Sequence, residues 1–231
     1  MSDEGGDPDA RASVDTVVLD VDGTLVDSNY HHVIAWARAF GSVGYDVPLW
    51  RIHRSIGMGG DRLVPRLIGE SADAKVGDRA RDAWTQEVDQ LLPEIRPLPH
   101  ARDLLARLRD ARVRVVLASS GKPEHTRHSM DLLDADEQVD EVTTSGDAPT
   151  KPAPDLIDKA IEEVDGSTAL VVGDSVWDAE AAQRAGVRMV GVLTGGFGAA
   201  ELTDAGAEEV FETIADLVES LDRLLLAAES I

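Results

Sequence analysis

Six short apolar runs, alternating with stretches of helical spacing, restrict this chain to very few folds. Val14–Leu19, Val113–Ala118, Val139–Thr143, Ala169–Val172, Val187–Leu193 and Val210–Phe211 are rich in β-branched residues and short enough to be buried strands. Between them, Ala101–Ala111 places Leu104, Leu105 and Leu108 on one face, and helical spacing recurs over His125–Leu133, Pro154–Val164 and Val176–Ala185. Leu217, Leu221, Leu224 and Leu225 mark a closing amphipathic helix. Strands that alternate with helices pair in parallel and need cover on both faces, so the pattern predicts an α/β fold built on a doubly wound parallel sheet. Ligands of such sheets bind beyond the carboxyl ends of the strands.

No strand is evident between Asp27 and Glu94. Val33, Ile34, Ala37 and Phe40 share a helical face there, and helix-like stretches follow over Arg62–Ile68 and Arg79–Leu92. The expected division is a disordered acidic tail over 1–13, a catalytic core from 14–27 plus 96–231, and an inserted α-helical cap domain over 28–95. The hinges fall near Asp27–Ser28 and Glu94–Pro97.

Charge narrows the partners. The 231 residues carry a formal net charge of −22, so a nucleic-acid partner, which needs a basic face, and an anionic membrane are both disfavoured. A small anionic substrate needs a local cation or a cluster of N–H groups. Cysteine is absent, which excludes disulfides and thiolate metal sites. No basic-then-apolar leader and no apolar run of membrane-spanning length occurs, so the expected location is the cytoplasm. Oligomeric state is not readable. Lysine occurs only at positions 75, 122, 151 and 159. GC-rich coding that replaces Lys with Arg accounts for that scarcity; adaptation to high salt accounts also for the acidic excess.

The chemistry gathers at strand ends. The first strand runs into Asp20-Val21-Asp22-Gly23-Thr24, whose two carboxylates leave a regular strand on the same side. Two such groups repel unless a cation or a shared proton intervenes. Val113–Ala118 ends in Ser119-Ser120-Gly121-Lys122, and Ala169–Val172 ends in Gly173-Asp174-Ser175, with Asp178 one turn later. Lys151 stands before a proline and a helix. Taken singly, Asp22 could cap an Asp-Gly turn and Asp174 could be the N-cap of the next helix.

Together, and in this order, these four motifs resemble the haloacid dehalogenase superfamily, in its phosphatase and phosphomutase branch with a helical cap after the first strand. The resemblance implies a Rossmann-like core and the following roles. Asp20 is the nucleophile and Asp22 the general acid and base, a task calling for a proton affinity above that of an ordinary Asp, toward which the neighbouring carboxylate pushes it. Mg²⁺ binds a side-chain oxygen of Asp20, the backbone carbonyl of Asp22 and a side-chain oxygen of Asp174, while Asp178 orients that shell. Ser119, or its neighbour Ser120, and Lys151 hold the phosphoryl oxygens, and Gly23 and Thr24 let backbone N–H groups approach the phosphate. Asp22 argues against dehalogenation. Phosphonate hydrolysis needs a cap lysine, and Lys75 lies in a polar, loop-like context. The pump ATPases differ after the nucleophile and require membrane helices.

Within the cap, Ser55-Ile56-Gly57-Met58-Gly59-Gly60-Asp61-Arg62 lacks the preceding strand and spacing of a dinucleotide fingerprint. By resemblance it is the loop that reads the leaving group, through Gly59 and Arg62; otherwise it is an ordinary turn. His31 and His32 either line the cleft or face solvent at a helix start. Trp36, Trp50 and Trp84 are expected in the cap core, and Trp177 against a core helix. The implied activity is Mg²⁺-dependent hydrolysis of a small phosphorylated metabolite, of the phosphoglycolate or sugar phosphate class, through an aspartyl-phosphate. Phosphomutase activity and non-catalytic binding of such a metabolite are the alternatives.

A salt-adapted acidic surface carries a direct consequence. The melting temperature should rise between dilute buffer and molar KCl, as counterions screen self-repulsion. A flat thermal-melt series by circular dichroism would leave coding bias as the explanation of the composition.

Overall fold

In the computed structural model, which describes residues 13–226, six parallel strands form one sheet. They are β1 (Thr16–Leu19), β4 (Arg114–Ala118), β5 (Glu141–Thr143), β6 (Ala169–Gly173), β7 (Arg188–Val192) and β8 (Glu209–Phe211), in the order β5-β4-β1-β6-β7-β8. β1 pairs with β4 on one side and β6 on the other, so the order reverses at the end of β1 and opens a crevice there. The proposed acidic tail lies almost wholly outside the described residues.

The period of two along the strands sorts the core onto two faces. Val17, Leu19, Val115, Leu117, Leu170 and Val172 pack against α5 (Ala101–Asp110) and α10 (Ile214–Leu225). Val18, Val116, Val171 and Met189 pack against α7 (Asp155–Glu163), α8 (Val176–Ala185) and α9 (Ala199–Ala205). α6 (Pro123–Leu133) adds Met130 and Leu133 to the first face. Val21 also joins the first face, which leaves Asp20 and Asp22 to depart on the other.

Four helices follow β2 (Val26–Asp27): α1 (Asn29–Ser42), α2 (Leu49–His53), α3 (Gly60–Ile68) and α4 (Glu70–Leu91). They enclose a separate cluster around Trp36, Phe40, Ile52, Leu63 and Trp84. The chain returns through β3 (Arg96–Pro97), which pairs antiparallel with β2, Val26 opposite Pro97 and Asp27 opposite Arg96. Exit and return thus run side by side as one narrow ribbon.

Several details differ from expectation. Lys75 is an exposed residue within α4, not in a loop, because that helix begins at Glu70 rather than near Arg79. Its first half has few apolar residues, so periodicity alone does not reveal it. Trp50 is 68% exposed and takes no part in the cap core. α2 and α9 are too short to show a face, and α9 follows the glycine-rich Gly195–Gly198. Asp174 is not a helix cap. Ser175 caps α8, accepting from the backbone N–H of Asp178, whose carboxylate bonds back to Ser175.

The sheet depends on α10, whose Leu217 is fully buried. Leu217→Ala should lower the unfolding free energy by about 2–5 kcal/mol, read from the urea midpoint.

Candidate active site

Three strand ends converge at the crevice. Asp20 follows β1, its N–H bonded to the carbonyl of Val172 in β6 at 2.9 Å. Asp174 follows β6, and Ser119 follows β4. Lys151, only 2% exposed, reaches between Asp20, to which it donates a short hydrogen bond, and Asp178, at 2.7 Å. The Lys151–Pro152 peptide is cis. Carboxylate oxygens of Asp20, Asp174 and Asp178 lie within 4.8 Å of one another, all buried.

This cluster holds more negative charge than one ammonium can balance. Burial pushes the Asp20 carboxyl up against the pull of Lys151, with Asp178 and Asp22 adding repulsion. Burial likewise pushes Asp174 well up, reinforced by Asp20 and Asp178. For Lys151, burial works against the charge, but Asp178 and Asp20 outweigh it and hold the ammonium protonated. Hard, buried oxygen donors carrying a charge surplus suit a divalent cation such as Mg²⁺. Asp178 is committed to Lys151 and to the cap of α8, which sets it apart from Asp20 and Asp174 within the cluster.

Asp174 is fixed from both sides. Thr24 Oγ1 donates to its Oδ1 and Asn29 Nδ2 to its Oδ2, each at 2.9 Å. A Cβ on Gly195 would lie 1.6 Å from Asp174 Oδ2, so this loop presses its bare backbone on the carboxylate. Gly23 has φ of +83°, and a Cβ there would strike Asn29 and Asp174. Its N–H donates to Val26 O at 2.9 Å, and that of Thr24 to Val21 O at 3.3 Å. These two N–H groups therefore serve the turn, which corrects the expectation that they face the phosphate; the Thr24 hydroxyl orients Asp174 instead.

Asp22 occupies a different environment. Its Oδ1 accepts from the Ser28 hydroxyl at 2.5 Å and lies 3.1 Å from His32 Nε2. Burial raises its proton affinity, yet His32 and Ser28 outweigh this and hold the carboxyl at about 2, below its ordinary 3.8. The expected upward shift from a neighbouring carboxylate is thus reversed in the free protein. Of the two alternatives for the histidine pair, His32 is buried and faces the cleft, and His31 is half-buried. Asn29 and Ser28 carry no site role in the sequence reading, although they stand at the first turn of α1 and just before it.

Ser119 is buried, and its hydroxyl accepts from Gly121 N at 2.9 Å. Ser120 lines the cleft and accepts from Lys151 N at 3.3 Å. The cap covers the crevice. Gly59 N donates to Thr150 Oγ1 at 3.1 Å, Thr150 bonds to Asp61, and His53 Nε2 meets Gly195 O at 3.0 Å. His125 on α6 meets Asp89 of α4 at 3.0 Å, and Arg66 lies over the Trp177 ring, 4.7 Å from its centroid. Gly59 lines the resulting cavity, about 40 Å³, together with Trp36, Ile56, Met58 and Trp84. Arg62 does not. It is exposed, paired with Asp61 at 3.6 Å, and borders a separate groove beside Arg66 and Arg184.

The model of haloacid dehalogenase-like hydrolases matches residues 14–186. A phosphoglycolate phosphatase of Nitrosospira multiformis is 31% identical, over 75% of this chain and 80% of its own. A validoxylamine A 7'-phosphate phosphatase of Streptomyces hygroscopicus is 28% identical, over 77% and 84%. The crystal structure of a hydrolase from Pseudomonas syringae superposes with a TM-score of 0.86 at 33% identity, covering 90% of this chain and 98% of that one.

The Asp22 environment makes stability depend on acid. A depressed carboxyl contributes stability that is full above its unfolded value near 3.8 and is lost as pH falls toward about 2. Asp22→Asn should therefore flatten the decline in urea-derived stability across that window. An unchanged slope would mean that His32 and Ser28 do not stabilise the anion.

Proposed function

The chain belongs to the haloacid dehalogenase-like hydrolases, and we propose that this phosphatase hydrolyses a small phosphomonoester through an aspartyl-phosphate on Asp20. One observation carries the reading. Asp20 and Asp22 leave the same strand end, yet Asp20 meets Lys151 and the buried acidic cluster while Asp22 meets a histidine and a serine. Two carboxylates in contrasting environments can divide nucleophile from acid and base.

In the first step an Asp20 oxygen attacks phosphorus, the bond from phosphorus to the ester oxygen breaks, and Asp22 gives its proton to the departing alkoxide. In the second, water attacks the aspartyl-phosphate and gives its proton to Asp22. Phosphate leaves, and Asp20 is restored. Held down in the free protein, Asp22 must gain a proton when substrate arrives. The incoming phosphoryl charge, next to it, raises its proton affinity in the direction required.

Lys151, with Ser119 or Ser120, would hold the phosphoryl oxygens. Mg²⁺ would be held by Asp20 and Asp174 with the backbone carbonyl of Asp22, and when bound supplies positive charge against those oxygens. Residues 28–95 act as the cap, with the β2–β3 ribbon as hinge, and closure excludes bulk water from the intermediate. Relatives named for phosphoglycolate and for validoxylamine A 7'-phosphate support a phosphoglycolate or sugar phosphate class of substrate.

Phosphate release from p-nitrophenyl phosphate tests the reading. Activity should require Mg²⁺ and vanish with EDTA. Asp20→Asn should abolish turnover, and Asp22→Asn should reduce kcat by about 10²–10⁴-fold for esters with poor leaving groups. Full activity in Asp20→Asn would refute the nucleophile.

A further inference from the structure

We infer that the cleft selects monophosphate esters of neutral, hydroxylated ring alcohols and discriminates against substrates with a second anion next to the ester, phosphoglycolate among them. This rests on the hydrolase reading above and narrows its substrate class.

The leaving group must lie beside Asp22, and there the tight cavity is walled by Trp36, Trp84, Ile56 and Met58. Among the described residues that line it, none is Lys or Arg. Every cation nearby is engaged or set apart. Lys151 is held between Asp20 and Asp178. Arg81 donates to Asp73, Asp78 and the Gly60 carbonyl. His32 is bonded to Asp22, and His125 to Asp89, where burial drives its ring toward the neutral form. Lys122 borders the wider adjoining groove of about 510 Å³, not the cavity. A carboxylate one carbon from the ester oxygen would be desolvated in this wall without a counter-charge, which is strongly unfavourable.

The wall offers something else. Trp84 is 9% exposed and borders both cavity and groove. Its indole N–H is buried with no hydrogen-bond partner. An unpaired buried donor is costly, and a hydroxyl or ring oxygen of the substrate would satisfy it. The tight cavity holds only the first atoms of the leaving group, so a ring would extend past Trp84, Gly60 and Ser120 into the groove. Aromatic walls accept the apolar faces of such rings while single donors fix their orientation.

The test is a comparison of kcat/KM by phosphate release for inositol monophosphate, a hexose monophosphate, phosphoglycolate, phosphoglycerate and a hexose bisphosphate. A neutral ring ester should exceed phosphoglycolate by about tenfold or more. Trp84→Phe, which keeps an aromatic ring and removes the donor, should lower that ratio mainly through KM. Met58→Arg, at a half-buried position, supplies a cation to the wall and should shift the ratio toward phosphoglycolate; it carries the test should Trp84→Phe melt early. Phosphoglycolate or the bisphosphate as the best substrate, or ratios unmoved by both variants, would overturn the inference and leave the hydrolase reading intact. Absence of Mg²⁺-dependent release from every ester would overturn both.

Discussion

A surplus of buried negative charge around Lys151 is the constraint on which the rest of this structure turns. Three buried carboxylates cluster there, and Lys151 pairs with two of them, Asp20 and Asp178. Burying such groups is unfavourable unless each is paired or hydrogen-bonded. The fold supplies those bonds from remote parts of the chain, Thr24 and Asn29 to Asp174 and Lys151 to Asp20 and Asp178, and locally from Ser175 to Asp178. What they leave uncompensated is a demand for a cation. Stability is given up locally at this crevice between the strand ends.

The same strand end produces two unlike acids. Asp20 and Asp22 are separated by one residue, and sequence treats them as a repelling pair. In the structure, Asp22 is drawn to Ser28 and His32, at the junction where the helical insertion begins. The first turn of the cap thus sets the protonation of a residue supplied by the core. Asn29, from that turn, also orients Asp174. Cap and core are joined chemically at this junction as well as mechanically.

The sheet was legible because buried parallel strands are continuous apolar runs, and those boundaries hold to within a residue or two for β4 and β6. The long helices showed through their faces. α4 began nine residues before expectation because its first half is polar and gives no stripe. At the site, Asp20 and Asp174 could be picked out because each follows a strand, Lys151 because it precedes a helix, and Asp178 because it lies one turn after Asp174. His32 could not be decided: its partner Asp22 is ten residues away, and nothing in a histidine pair says which one turns inward. The downward shift of Asp22 is hidden from sequence for the same reason. The nearest charge in sequence was Asp20, whereas the nearest hydrogen-bonding groups in space were His32 and Ser28.

Trp36 and Trp84 illustrate a deeper limit. Helical periodicity assigns them to the cap core, and they are indeed buried, with ring centroids 5.0 Å apart. They nevertheless line the cavity beside Asp20 and Asp22, because the helical insertion closes its own core against the crevice and one edge of that core becomes the ceiling of the cavity. A residue can belong to a hydrophobic cluster and to a binding surface at once wherever two separately packed units meet. Strand-end motifs can be read from sequence because each lies within a few contiguous residues. The lining across that seam cannot, because it is written only where the two units come into contact.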